Sequence, residues 1–407
     1  MTVTVVVGAQ YGDEGKGKIV DFLSKDYDII ARFDGGDNAG HTLVVNKITL
    51  ALHLIPSGIL QRKTCVIGSS VKGNLEAAIK ECRNIEKLFG FDPRKFLYIS
   101  DCMHVVLPEY VEESKKDAES TGKGIKQCAS KKYLREGIRI DDLLNLDKID
   151  DIDPRKTFIK NIKGIEDLVK QAEYFKDNVT NTSYLLNEAI KSNKDILFEG
   201  AQGTGLDINH GQYPFVTSSD CVAGGASTGA GIGPNLINKV IGIAKVYTTR
   251  VDRDKNSPLV TQTDPELDEL LRKAGNEFGS TTGRPRRCGW FDVPLVKHSI
   301  RVNGINELIL TKLDIFDYLD EIKICTHYNV DGEITDIYPT NASTQRRSIP
   351  IYETLLGWKG RSTEGTRYLR QLPGNAIGYI ERLQELLDVR ISYISTGADR
   401  YETIKVE

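Results

Sequence analysis

The strongest constraint on this chain is one stretch near its start, where an unbroken apolar strand runs straight into a glycine-rich turn. Residues Thr2 to Val7 (TVTVVV) are β-branched and almost wholly apolar, the composition of a strand buried on both faces of a parallel sheet. The turn Gly8-Ala9-Gln10-Tyr11-Gly12-Asp13-Glu14-Gly15-Lys16-Gly17-Lys18 follows, and helical spacing resumes at Ile19-Val20-Asp21-Phe22-Leu23. Strand, glycine loop and helix together make a phosphate cradle: glycines let backbone N–H groups approach an anion, and the helix N-terminus adds its dipole. Gly12 to Lys18 fits G-x-x-x-x-G-K, but Ile19 stands where a P-loop carries the Ser or Thr that holds Mg²⁺. Asp13, inside the loop, is the nearest oxygen able to take that role, because a carboxylate among phosphates needs a metal, a cation or a proton beside it.

A second glycine turn, Gly35-Gly36-Asp37-Asn38-Ala39-Gly40-His41-Thr42, follows the strand-like Ile29 to Phe33, and a third, Gly200-Ala201-Gln202-Gly203-Thr204, follows Asp195 to Glu199. In a doubly wound sheet such strands end at the same edge, where ligands bind, so His41 is expected to face the first loop. Further strands are expected over Val240–Val251, Leu308–Asp314 and Ile391–Ile394, with a helix over Leu75–Leu88 and a close-packed turn and helix start over Gly224–Gly233. The expected fold is α/β: one domain over 1–407, a large mostly parallel central sheet with flanking helices and a P-loop-like phosphate loop. Small helical subdomains are expected at the periphery, over about 106–194.

The net charge of −3 and pI near 6.2 argue against a general nucleic-acid or membrane-surface role. Seven cysteines, an odd number with no C-x-x-C pair, suggest reduced thiols and a cytoplasmic protein. No basic-then-apolar leader and no membrane-length apolar run is seen.

Two further stretches carry chemistry. Lys312-Leu313-Asp314 has the form K-x-D, in which an aspartate accepts from guanine N1–H and the 2-amino group, donors that adenine lacks. Gly279-Ser280-Thr281-Thr282-Gly283-Arg284-Pro285-Arg286-Arg287 sets arginines beside hydroxyls and glycines, an anion clamp suited to a dicarboxylate.

GDEGKGK followed by GGDNAGHT and LHLIPSGIL resembles the adenylosuccinate synthetase family, and the match continues to the C-terminus. The resemblance implies GTP-dependent ligation of L-aspartate to IMP through a 6-phosphoryl-IMP intermediate, the first committed step of AMP biosynthesis. It assigns catalysis to Asp13, His41 and Gln202, and Mg²⁺ to Asp13 and the Gly40 carbonyl. Gly12 to Lys18 (with Glu14, Gly15, Lys16 and Gly17), Gly40, His41, Thr42, Arg286, Lys312, Leu313, Asp314 and Ser395-Thr396-Gly397 would bind GTP. Asp13, Asn38, Ala39, Gly40, His41, Thr121, Arg135, Gln202, Thr217 and Arg284 would bind IMP, with Arg135 supplied across a homodimer interface. Ser280, Thr281, Thr282, Gly283, Arg284, Pro285 and Arg286 would hold aspartate.

Two segments depart from the family pattern. Its glycine-rich GTTGRGIGP reads Glu119-Ser120-Thr121-Gly122-Lys123-Gly124-Ile125-Lys126-Gln127, and its run after arginine-valine reads Asp252-Arg253-Asp254-Lys255-Asn256-Ser257-Pro258-Leu259-Val260-Thr261. Both border the nucleotide-monophosphate pocket in the family, which leaves open another 6-oxopurine nucleotide as acceptor. A GTP-binding regulatory protein without ligase activity is the alternative of a different class.

Overall fold

The structure is a computed structural model that describes residues 1–117, 120–251, 257–279 and 283–406. Its frame is a sheet of ten strands: β1 (Val3–Gly8), β2 (Ile29–Arg32), β3 (Thr64–Ile67), β4 (Leu97–Ser100), β5 (Val179–Thr180), β6 (Ile196–Glu199), β7 (Lys239–Lys245), β8 (Glu307–Thr311), β9 (Arg390–Ser395) and β10 (Thr403–Lys405). They lie in the order β10-β9-β8-β7-β1-β6-β2-β3-β4-β5. Every pairing is parallel except that of β9 with β10. β1 therefore sits near the middle, between β6 and β7, and the glycine turns after β1, β2 and β6 all leave the same edge.

The central position explains the composition of β1. Its Val3, Val5 and Val7 pack into the core on one face of the sheet and Val6 into the core on the other, the alternation that a strand's two-residue period dictates. Each valine so buried contributes about 1.5–3 kcal/mol. One face is covered by helix α1 (Lys16–Leu23), a helix at Leu75–Phe89 and a hairpin of strands His41–Val45 and Ile48–Leu52. The helices Gly224–Ala230, Val293–Asn303 and Gly374–Leu387 cover the other.

Three expectations need correction. Val240–Val251 is not one strand: β7 ends at Lys245, and Thr248–Val251 pairs antiparallel with Arg286–Gly289. The break hides in an unbroken apolar run because Val246 and Tyr247 are themselves fully buried. Helix α1 starts at Lys16 rather than Ile19, since Gly15 takes a left-handed φ of 87° and ends the loop. The stretch 106–194 shares the main core: Tyr110, Cys128 and Leu168 join the cluster of Ile30 and Leu197, and β5 extends the sheet. All seven cysteines are free thiols. Among the described residues no helix is long and apolar enough to cross a membrane.

Candidate active site

The turns that leave the sheet edge close around one cleft of about 870 Å³. The first loop lines it with Gly12, Asp13, Gly15, Lys16, Gly17 and Lys18. Left-handed backbone at Gly12 (φ 87°), Asp13 (φ 60°) and Gly15 (φ 87°) is the winding that turns N–H groups toward an anion. For Asp13 that conformation carries a cost of about 1–2 kcal/mol, the kind of strain found at functional positions. Glu14 points the other way. Its carboxylate is fully buried, accepts from the backbone N–H of Gln10 at 3.1 Å and of Gly12 at 2.8 Å, and pairs with Lys16 Nζ at 2.7 Å. Glu14 is thus the brace of the loop, and it holds the Lys16 ammonium at the cleft wall.

The second loop brings Asn38, Ala39, Gly40, His41 and Thr42 to the same cleft. His41 packs so closely on the first loop that a Cβ at Gly17 would lie 2.6 Å from its own Cβ. Its Nδ1 forms an ion-pair contact with Glu199. Glu199, the last residue of β6, is fixed in turn by Ser57, which donates from its backbone N–H at 2.8 Å and its hydroxyl at 2.5 Å. Burial lowers the His41 pKa, and Glu199 opposes that shift. For Glu199, burial pushes the carboxyl up, but His41, Arg32 and Ser57 outweigh it and hold the pKa below the usual value.

Opposite stands a buried ionic chain. Arg286 Nε donates to Asp13 Oδ2 at 2.8 Å and its Nη1 to Glu277 Oε2 at 2.7 Å. Glu277, fully buried, also accepts from Lys245 Nζ at 2.8 and 2.9 Å and from the Tyr247 hydroxyl at 2.6 Å. Burial raises the Glu277 pKa, but Lys245, Lys312 and Arg286 bring it down to about 2. The carboxylate is therefore ionised throughout the physiological range, and it anchors the arginine that faces Asp13.

Several groups are buried without a protein partner among the described residues: both amide atoms of Gln202, Asn38 Oδ1 and Asp314 Oδ1. Leaving such a group unsatisfied costs about 1–3 kcal/mol, so each marks where a polar ligand would be gained. Gln202, at a left-handed φ of 51°, lines the cleft with Thr121 and Thr217. Asp314 follows Lys312, itself at φ 65°, where β8 ends. Burial raises the Asp314 carboxyl to about 6 against the pull of Lys312 and Lys18.

Not every expected residue reaches the cleft. Leu313 and Thr396 are fully buried, and the Thr396 hydroxyl donates to the Thr366 carbonyl at 2.7 Å; neither lines the cleft, nor do Glu14 and Asp314. Ser395 and Gly397 do line it. Gly283, Arg284 and Pro285 belong to a loop closed by Gly279 N–H donating to the Arg284 carbonyl at 2.8 Å, and they are not in the cleft wall. Ser280, Thr281, Thr282, Glu119 and residues 252–256 lie outside the described residues. Arg135 is exposed and lies in a separate surface hollow with Leu134, Arg155 and Phe158.

Glu199, Glu277 and Lys245 were missed. Glu199 and Lys245 are charged residues that close apolar strands of a sheet buried on both faces, where a charge is retained only with a partner; Glu277 follows the helix Pro265–Ala274, and no local pattern marks it. Arg250, stacked 4.6 Å over the ring of Tyr11, lines the cleft as well.

The family model for adenylosuccinate synthetase matches residues 5–404. The adenylosuccinate synthetase of Cyanothece sp. is 44% identical, the match covering 100% of this chain and 95% of that protein. That of Heliobacterium modesticaldum is 43% identical over 100% and 99%. The solved structure of fully ligated adenylosuccinate synthetase from Plasmodium falciparum superposes with a TM-score of 0.90 at 33% identity, covering 100% of both chains. A cyanophage succinoaminodeoxyadenylate synthetase, at 17% identity and a TM-score of 0.67, shares the fold. By sequence over its whole length and by the architecture that shapes its cleft, the chain belongs to the adenylosuccinate synthetase family.

Proposed function

We infer that the protein joins L-aspartate to IMP in a GTP-dependent ligation that yields adenylosuccinate, GDP and phosphate. The observation that carries this reading is the convergence on one cleft of Asp13, His41 and the unpartnered Gln202 amide, with the guanine-type carboxylate of Asp314 at the end of a neighbouring strand.

The 6-oxo group of a purine leaves poorly, so it must be phosphorylated before an amine can displace it. Asp13 takes the N1 proton of IMP; O6 then attacks the γ-phosphorus of GTP, and the bond to the β–γ bridging oxygen breaks to release GDP. The amine of aspartate next attacks C6, and O6 departs as phosphate. Gln202 holds the purine edge. Burial disfavours a charged His41 ring and Glu199 at Nδ1 favours it, so that an imidazolium can meet the charge that develops when a phosphate oxygen arrives at Nε2. Lys16 and Arg286 offset phosphate charge, and the aspartate carboxylates are assigned to Arg284, which lies outside the cleft wall between the lining residues Phe278 and Arg286 in the chain, and to its neighbouring threonines.

A divalent cation fits this site. Asp13, a partly exposed carboxylate, and Gly40 both line the cleft; such an oxygen donor set would suit Mg²⁺, which takes few protein ligands and keeps phosphate oxygens and waters as the others. When bound, it supplies charge neutralisation at the transferring phosphoryl group. The exposed Arg135 is read as serving the neighbouring site of a homodimer, and the free thiols suit the cytoplasm.

The test is phosphate release from GTP and Mg²⁺ with IMP and aspartate added singly and together. Release requiring both establishes the ligase. Release that needs aspartate with a different 6-oxopurine nucleotide would overturn the acceptor assignment, and none under any combination would overturn the reaction itself.

A further inference from the structure

Lys18 carries the last position of the phosphate-loop pattern, yet its ammonium is engaged by the chain's own C-terminal turn. An ammonium has three N–H donors and no acceptor. All three are taken: Lys18 Nζ donates to Ser395 Oγ at 2.6 Å, to the Gly397 carbonyl at 2.7 Å and to the Glu402 carbonyl at 2.8 Å. The Ser395 hydroxyl donates onward to Gly397 O at 3.1 Å, so the turn after β9 is folded around this one nitrogen. A second tie lies one helical turn along α1, where Asp21 accepts from Arg400 Nε at 2.5 Å and Nη2 at 2.7 Å. Lys18 and Asp21 are three residues apart and share a helix face; together they staple α1 to residues 395–402. The charges of Glu402, Asp314 and Asp399, opposed by that of Lys312, act on the ammonium, so the tether is electrostatically coupled to the carboxylate assigned to the nucleotide base.

We propose that Lys18 is a positioning residue for base selection: it leaves the phosphates to Lys16 and the backbone, and holds the Ser395–Gly397 turn where it closes on a purine bearing a 2-amino group. The proposal deepens the reading of this cleft as a guanine-nucleotide site and rests on it.

The experiment is calorimetric titration of wild-type protein, K18M and S395A with GDP and with inosine diphosphate, which differs only in lacking the 2-amino group. Wild type is expected to prefer GDP. K18M should lose about 10–100-fold on GDP, as for a charged hydrogen-bonding group removed, and only a few-fold on inosine diphosphate, so that the preference collapses. S395A keeps the lysine and removes one acceptor; it should shift the preference in the same direction by less, and it carries the test if K18M does not fold. Equal losses on both nucleotides, with the preference intact, would show a phosphate role and overturn the proposal. A wild type with no preference for GDP would instead refute the guanine reading itself, and this proposal with it.

Discussion

Asp314→Asn separates stability from function at the carboxylate proposed to read the nucleotide base. Burial raises the Asp314 carboxyl from 3.8 to about 6. A carboxyl whose folded pKa lies above its unfolded value is costly to ionise in the folded protein. Two pH units correspond to about 3 kcal/mol, an upper bound at pH 7 because the neutral form is the one favoured by folding. The sign follows. Below about pH 4 both states hold the proton and the asparagine variant differs little from wild type; between about 4 and 6 the unfolded carboxyl ionises while the folded one keeps its proton, so the penalty grows, and above 6 it stands at its full value. The neutral amide never carries that penalty. D314N should therefore be more stable by about 1–3 kcal/mol at pH 7, a rise in Tm of about 1 °C per kcal/mol for a chain of 407 residues, shrinking toward zero by pH 4. GDP should bind about 10–100-fold more weakly, because the amide sets a donor against guanine's donors. Scanning calorimetry from pH 4 to 8 with GDP titration at pH 7 measures both. A variant less stable than wild type at pH 7, or a gain that does not change with pH, would refute the argument that this carboxylate is held ready at a cost.

Asp13→Ala and His41→Ala should each abolish IMP- and aspartate-dependent phosphate release while leaving GTP binding measurable by titration; near-normal turnover in either removes the role assigned to that residue. Glu199→Gln keeps the shape of the support under His41 but removes its charge. It should slow phosphate release by about 10²–10⁴-fold with GTP affinity little changed, and an unaffected rate would mean that His41 works without it. Glu277→Gln leaves Lys245 buried without its counter-ion, which should cost about 3–5 kcal/mol in a denaturant melt, and the double variant with Lys245→Met should recover most of it. If Arg135 completes the neighbouring site, mixing inactive R135A and D13A subunits should restore about a quarter of the wild-type sites by random pairing; no recovery in mixed dimers would refute a shared site.

The phosphate loop was legible because everything it needs is local: a valine run, glycines at set positions and the start of a helix within about twenty residues. The pattern of Lys312 to Asp314 is local in the same way, one turn after the end of β8. What was not legible is long-range. Ser57 and Glu199 are 142 positions apart, and nothing in LHLIPSGIL says that its serine holds a carboxylate on β6. Lys18 carries the phosphate-lysine pattern, and only its acceptors, 377 positions away at Ser395, reveal another use. The break at Val246 and Tyr247 was invisible for a different reason, since burial there keeps the composition of a strand where the chain turns. Arg135 lies in a surface hollow apart from the cleft, so one chain alone does not reveal the role that the family resemblance assigns to it.

The staple between α1 and residues 395–402 also orders events in time. A growing chain exposes Lys18 first and its last acceptor, Glu402, 384 residues later. At typical synthesis rates of about 5–20 residues per second that interval is roughly 20–80 s. Through all of it the lysine has nothing to hold, the turn that reads the base does not exist, and α1 lacks the partners that fix one of its faces. The cleft is thus begun with the opening residues and completed only by the closing ones, so a nascent chain on the ribosome has no finished base site for a nucleotide to enter.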